Sequence, residues 1–570
     1  MSRILLVLLA GTALCAETAP ELVPHPVIAR SADDFVESIG VSGLGGPYIT
    51  PKNELYGQLP IPPEHLMGVR YSRIEAPQQQ PAADLFTAIH KAHGVRYNWL
   101  LSWHFRDLSE PRNLATALAA LRLMPAAAIA SIEGNNEANF HKMSGMPDYP
   151  ATNVHAKSSQ EAFYPAVKAD PLLRAIPVMS WNIIGVDIGQ GSEHLYGKLT
   201  SDACDVIACH AYPFDPAHFR APLADTASGA MAHHALTCRE VQPTGEARKP
   251  IIATETGWTS DKPVAETTQA RLDPIILAAN YSAGVARTYL YDAWGNHPWA
   301  IQGHPAGRAL TDLTTLLGEA TWDAKAEQWH YPDFAPGALA YHLAPLPAST
   351  PDKPVAIGQL LLQRGDGRFF LLLWNDVPIT NNTTKQLYDF PAVDVAITVG
   401  NPLSQVVIHA QQADGSHNSE SVAITAHAPT ATLTVQVADR VVVVELVPDG
   451  GLAATQMRVP AFSRTVADVA VSKEQINPSG LTTCAVTGLE PGRMYVVRLT
   501  TSAVRDVPLL LNGALQRASA ATSAPKRELR VTATADGLIM VQTMDAPGSL
   551  PILERITVLA QPTPAAKSTP

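Results

Sequence analysis

AIASIEGNNEAN (128–139) opens as a short run of small and apolar residues suited to a buried strand and closes in a polar corner, Gly-Asn-Asn-Glu. PIIATETGW (250–258) has the same form and also ends on a glutamate. Working outward, six more runs of this kind appear: SIGVS (38–42), GVRYSRI (68–74), YNWLLSW (97–103), IPVMSWN (176–182), DVIACHAY (205–212) and ARTYLYD (286–292). In chain order the eight runs start 30, 29, 31, 48, 29, 45 and 36 residues apart. Each interval has room for one strand, one loop and one helix. Near-continuous apolar strands alternating with helical stretches predict a parallel sheet covered on both faces. Stretches such as NLATALAALRLM (113–124) and RALTDLTTLLGEA (308–320) supply the helices. Eight units of this length match an α/β fold of the (β/α)8 TIM-barrel type better than an open sheet. No glycine-rich phosphate loop follows the first run, so a dinucleotide-binding fold lacks its main feature.

The barrel accounts for only part of 570 residues, a length that predicts several domains. The start, MSRILLVLLAGTALCAE, places Arg3 before an apolar run that ends in small residues at Ala16. It reads as a secretory leader covering 1–16, too short to span a bilayer, and no later stretch is long enough. The expected location is therefore secreted or periplasmic. After about residue 335 the texture becomes β-rich. AIGQLLLQ, RGDG and RFFLLLWND (356–376) read as a hairpin, and VAITVG, QVVIHAQQ, ATLTVQV and RVVVVELVP continue as strands. The expected organisation is a catalytic barrel over 17–339, a β-sandwich over 340–450, and a second β-rich domain over 451–570 with a solvated tail. All nine tryptophans lie at or before Trp374, so the last block reads as a structural module rather than a glycan-stacking one. Four cysteines follow the leader, which permits one bridge, with Cys204 and Cys238 as the candidate pair, or four buried thiols.

In a barrel of this type the reactive groups stand at the carboxyl ends of strands. The fourth run presents Asn136 and Glu137 there, and the seventh presents Glu255. One glutamate at a strand end is ordinarily a solvated rim group or an ion-pair partner. Two, on the fourth and seventh strands, face each other across the mouth. That is the arrangement for retaining glycoside hydrolysis, in which one carboxylic acid protonates the leaving oxygen and one carboxylate attacks the anomeric carbon.

The motifs IEGNNEANF and IIATETGW resemble the acid/base and nucleophile motifs of the clan A retaining glycoside hydrolases. Arg73 in GVRYSRIE, His210 and Tyr212 in CHAYPF, and Trp294 in YLYDAWGN follow the same family pattern. The layout resembles the β-xylosidase and iduronidase-like members, which join a barrel to a sandwich. Asn135 departs from it, standing where many relatives carry proline. The resemblance implies Glu137 as general acid/base and Glu255 as nucleophile. It further implies Arg73 holding Glu255 charged, Asn136 donating to the sugar 2-hydroxyl, Tyr212 bonded to the nucleophile, His210 facing substrate or Glu137, and Trp294 as a stacking floor.

Blander roles stay open for the supporting residues. Arg73 also fits a barrel-bottom arginine, His210 a satisfied core histidine, and Trp294 a packing residue. Trp103, Trp181, Asn182 and Trp258 close their strands as well, and either line the cleft or fill the barrel. No HExxH and no cysteine pair with zinc spacing occurs, and no G-x-S-x-G elbow. Neither a metal nor a cofactor is expected. With 16% charged residues and a net charge of −11, no basic surface exists to counter a phosphate backbone. The expected partner is a β-linked carbohydrate, not nucleic acid. Two alternatives share these residues or this fold: a transglycosylase using the same glutamates, and a non-catalytic glycan-binding scaffold. The sequence leaves the sugar, the linkage, the cleavage mode and the oligomeric state open.

Overall fold

The structure is a computed structural model. It describes residues 25–450 outside 102–106, 138–152, 183–202, 213–249, 261–265, 347–354, 378–387 and several single or paired positions. Beyond 450 it describes strand residues alone. The leader, Trp103 and Cys238 lie outside the described residues, as does most of the two long loops expected after the fourth and sixth runs.

Two short strands, β1 (His25–Ile28) and β2 (Arg30–Ser31), precede the sheet that carries the site. That sheet is built from β3 (Ile39–Ser42), β4 (Tyr71–Glu75), β5 (Arg96–Leu100), β6 (Ile129–Glu133), β7 (Ile207–His210), β8 (Ile251–Thr256) and β9 (Arg287–Leu290). Its order is β6-β5-β4-β3-β9-β8-β7, and every neighbouring pair is parallel. Seven of the eight predicted runs are thus strands. The run at 176–182 contributes two isolated parallel bridges instead, Ile132 to Val178 and Met179 to Val206. These join the two edges of the sheet, which is therefore curled.

Helices follow the strands in the expected alternation: Gln80–His93, Pro111–Leu121, Asn153–Ala169, Glu266–Ser282 and Pro305–Leu317. The last buries Ala306, Ala309, Leu310, Leu313 and Leu317, an i, i+3, i+4, i+7 stripe that faces the core. Each fully buried leucine there contributes about 1.5–3 kcal/mol relative to exposure.

A small hairpin, β10 (Thr321–Asp323) and β11 (Gln328–His330), leads into the sandwich. The sandwich strands are β12 (Ala338–Leu343), β13 (Ile357–Gln363), β14 (Phe369–Asn375), β15 (Val393–Val399), β16 (Leu403–Gln411), β17 (His417–Ser421), β18 (Ala431–Val437) and β19 (Val442–Pro448). The predicted hairpin is present as β13 and β14, antiparallel in register from Ile357–Asn375 to Gln363–Phe369. One sheet runs β1-β12-β15-β18 and the other β17-β16-β19-β14-β13-β2. His25–Ser31 precedes the curled parallel sheet in sequence but pairs with β12 and β13 in the two antiparallel sheets that follow it. The alternation in β18, buried at Ala431, Leu433, Val435 and Val437 with exposed residues between, is the two-residue period of a one-sided sheet.

The last block holds β20 (Asp468–Ala470), β21 (Thr482–Val486), β22 (Met494–Thr501), β23 (Leu509–Leu511), β24 (Ala514–Gln516), β25 (Lys526–Thr532), β26 (Ile539–Thr543) and β27 (Leu553–Ala560). They form two four-stranded sheets, β20-β27-β22-β25 and β21-β26-β23-β24.

Candidate active site

The register of the parallel sheet sets Ser42, Arg73 and Asn98 side by side on β3, β4 and β5, and Glu133 ends β6. Arg73 is buried, and its guanidinium is shared among three acceptors. Nε and Nη2 reach the Glu133 carboxylate at 2.7 and 2.9 Å, Nη2 also donates to Asn136 Oδ1 at 2.7 Å, and Nη1 reaches Glu255 Oε1 at 2.5 Å. Burial alone would lower the Arg73 pKa, but the charges of Glu133 and Glu255 outweigh it and keep the cation protonated.

Glu133 has no exposed surface. It also accepts from Asn98 Nδ2 at 2.7 Å and from Asn182 Nδ2. Burial pushes its carboxyl up, yet the Arg73 charge and these hydrogen bonds hold it below the usual carboxylate range. Asn182 in turn takes the Glu137 peptide N–H on Oδ1 at 2.6 Å. Glu137 sits at φ +43°, a left-handed conformation uncommon for a side chain of this kind and found preferentially at functional sites.

His210 links the two expected carboxylates. Its Nδ1 lies 2.8 Å from Glu137 Oε1 and 3.3 Å from Glu255 Oε2. The sheet arranges this through a register shift between Cys209 and His210, which sets His210 opposite Glu255. Tyr212 donates to Glu255 Oε2 at 3.0 Å, and burial first, then the Glu255 charge, pushes the phenol well above its ordinary pKa, so it remains a donor. Gly257, at φ +131°, turns the chain out of β8; a Cβ there would lie 3.3 Å from the Tyr291 carbonyl oxygen. One oxygen of Glu137, one of Glu255 and a nitrogen of His210 lie within 4.8 Å of one another. Among the described residues this is the grouping with metal-type donors, and each of the three side chains is already hydrogen-bonded or ion-paired inside the cluster.

The structure brings together Arg73, Asn136, Glu137, Asn182, His210, Tyr212 and Glu255 from the expected set. Asn182 belongs to the polar cluster rather than to barrel filling. Trp181 and Trp258 are buried, Trp258 within the hydrophobic core. Trp294 packs over the segment after β3: a Cβ on Gly46 would meet its Nε1 at 1.6 Å. Beside Tyr212 stand Tyr291, whose pKa burial and the Glu255 charge push up, and Trp299, which meets Tyr212 edge-on at 5.3 Å.

Sequence reasoning missed Glu133, Tyr291 and Asp292. Glu133 closes its strand four residues before Glu137, where sequence alone does not separate it from a rim carboxylate; the buried Arg73 beside it does. Asp292 closes the eighth run, and burial, aided by the Glu255 charge, pushes its carboxyl up to about 8.

No family model matches the chain, and no curated protein matches it. Solved structures do. The structures to which it is similar are clan A glycoside hydrolases. One is a family 51 α-L-arabinofuranosidase from Bifidobacterium longum, 14% identical, with a TM-score of 0.46 over 74% of this chain and 97% of that one. A family 39 glycoside hydrolase from Bacteroides cellulosilyticus WH2 is 14% identical, with a TM-score of 0.43 over 74% of this chain and 81% of its own. A family 30 subfamily 8 xylanase from Clostridium acetobutylicum is 12% identical, with a TM-score of 0.37 over 74% and 97%.

Proposed function

We propose that the chain is a secreted retaining glycoside hydrolase that cleaves a β-linked oligo- or polysaccharide by double displacement. The observation that carries this reading is the approach of Glu137 and Glu255, one oxygen of each lying within 4.8 Å of the other. A retaining pair needs roughly 5–5.5 Å between its carboxyl groups, whereas an inverting pair needs roughly 6.5–9.5 Å to admit a water. In this reading the curled sheet is the (β/α)8 barrel, closed through Val178 and Met179, and residues 1–16 are the leader removed on export.

Glu255 is the nucleophile. Arg73 on Oε1 and Tyr212 on Oε2 hold and orient its carboxylate. Glu137 gives its proton to the glycosidic oxygen while Glu255 forms the ester to the anomeric carbon. Glu137, now ionised, takes a proton from water, whose oxygen attacks the same carbon, and Glu255 leaves as carboxylate. His210 Nδ1, between both carboxylates, donates to whichever carries the charge at each stage. Asn136 turns its amide oxygen to Arg73, and in this reading its amide nitrogen donates to a sugar hydroxyl. The mechanism requires no cofactor and no metal.

The test is a screen of aryl β-glycosides and β-linked polysaccharides, followed by Glu255→Ala and Glu137→Ala with and without azide. Both variants are expected to fold and to lose most turnover. Azide restores Glu255→Ala to an inverted glycosyl azide and Glu137→Ala to a retained one. Folded variants that turn over at near wild-type rates sink the assignment.

A further inference from the structure

The mechanism leaves one acid of the site without a task. Asp292 follows β9, and its side chain is only 16% exposed. Its Oδ1 is buried with no hydrogen-bond partner among the described residues. The nearest ring nitrogen, His297 Nε2, lies 3.2 Å away but out of line, because the ring is turned so that Nδ1 takes the Trp299 N–H at 3.3 Å. Oδ2 lies over the segment after β3, at 3.7 Å from where a Cβ on Gly43 would stand. The backbone of Asp292 is fixed on both sides: its N–H donates to the Trp299 carbonyl and its carbonyl accepts from Ile301, each at 3.1 Å. A buried carboxyl oxygen on a fixed backbone with no hydrogen-bond partner among the described residues is rare in a folded protein. Among the described residues the titratable groups about it are Glu255 from β8, and Tyr291 and His297 from its own loop; the segment after β3 brings Gly43 against it.

We infer that Asp292 is a substrate contact of the same site, completing its hydrogen bonds with a ring hydroxyl of an uncharged glycosyl unit. The inference rests on the glycosidase reading above and adds the class of sugar. Burial keeps the carboxyl protonated at neutral pH, so it donates as well as accepts, which suits a hydroxyl. A sugar carboxylate does not fit. It would enter a site that already holds Glu137, Glu255 and Asp292, where Arg73 is committed to Glu133, Asn136 and Glu255. Bringing a further anion there without a partner carries a large desolvation cost.

The experiment uses the full chain with Asp292→Ala and Asp292→Asn, assayed on 4-nitrophenyl β-glycosides of xylose, glucose, galactose and glucuronic acid, and on monodeoxy forms of the best neutral substrate. Asp292→Ala is expected to lower kcat/KM about tenfold, the effect of one hydrogen bond, chiefly through KM. Asp292→Asn, which keeps a donor and an acceptor in place, retains most of the activity. One monodeoxy glycoside loses nothing further in Asp292→Ala, and it identifies the hydroxyl. An Asp292→Ala enzyme with wild-type kcat/KM, an equal loss on every monodeoxy substrate, or a wild type that prefers the glucuronide overturns the inference and leaves the hydrolase reading standing. A wild type that cleaves none of the glycosides and none of the polysaccharides removes both.

Discussion

Arg73 grips Glu133 with two of its nitrogens, at 2.7 and 2.9 Å, and offers Glu255 a third at 2.5 Å. The stronger hold is on the carboxylate that does no chemistry. Glu133 is thereby the anchor: it fixes the guanidinium plane, and the plane fixes where Glu255 points. Glu133→Gln removes the anchoring charge and leaves a buried cation balanced on Glu255 alone. The expected cost is about 3–5 kcal/mol of stability, read from urea unfolding curves, together with a fall in turnover of the fraction that remains folded.

Tyr212→Phe deletes one hydrogen bond to a charged oxygen without changing ring packing against Trp299. A bond of that kind contributes about 1.5–3 kcal/mol, so kcat/KM is expected to fall by roughly one to two orders of magnitude with little change in Tm. A variant as active as wild type would show that Arg73 alone orients the nucleophile.

Asp292 makes stability depend on pH in a defined direction. Its folded pKa, near 8, is raised above its unfolded value. The folded state therefore binds more protons across that interval, and stability is lost as pH rises from about 4 to about 8. Asp292→Asn has no such loss. The Tm advantage of the variant over wild type should widen through that window and stay constant above it, as measured by thermal melts in one buffer series.

Gly46→Ala tests the packing of Trp294. The new methyl would overlap the indole nitrogen, and the indole lies against the same segment at Gly43. Overpacking of this kind costs about 1–3 kcal/mol. The expected readouts are a lower Tm and a shift in tryptophan emission as the ring is displaced.

The strand runs were legible because a parallel strand buried on both faces must be apolar throughout, and seven of them became strands of one sheet. The run at 176–182 was the exception. Pro177 interrupts it, and only Val178 and Met179 form bridges. Glu137 and Glu255 could be found because each ends such a run in a polar corner. Glu133 could not be told from a rim carboxylate, since its meaning lies in Arg73, sixty positions away in sequence. Trp294 fits a stacking floor or a packing residue equally by type, and its place over Gly46 is set by the turn after β9, which no local pattern announces. The sequence does not announce β1, β2, β10, β11, β12, β17, β20, β23, β24 or β27, most of them short, polar or without clear alternation. Several of these pair with neighbours far along the chain.

The pairing of β1 with β12 and of β2 with β13 has a consequence for biosynthesis. These two edge strands are translated before the parallel sheet, and the other members of their sheets only after it. While the parallel sheet is being synthesised these strands have no partner, and any exposed strand edge is a template for the wrong one. Their shortness, four residues and two, limits that hazard. It also means that cutting the gene at residue 339 would separate no independent unit, because it would leave one piece with stray strands and the other with two unfinished sheets.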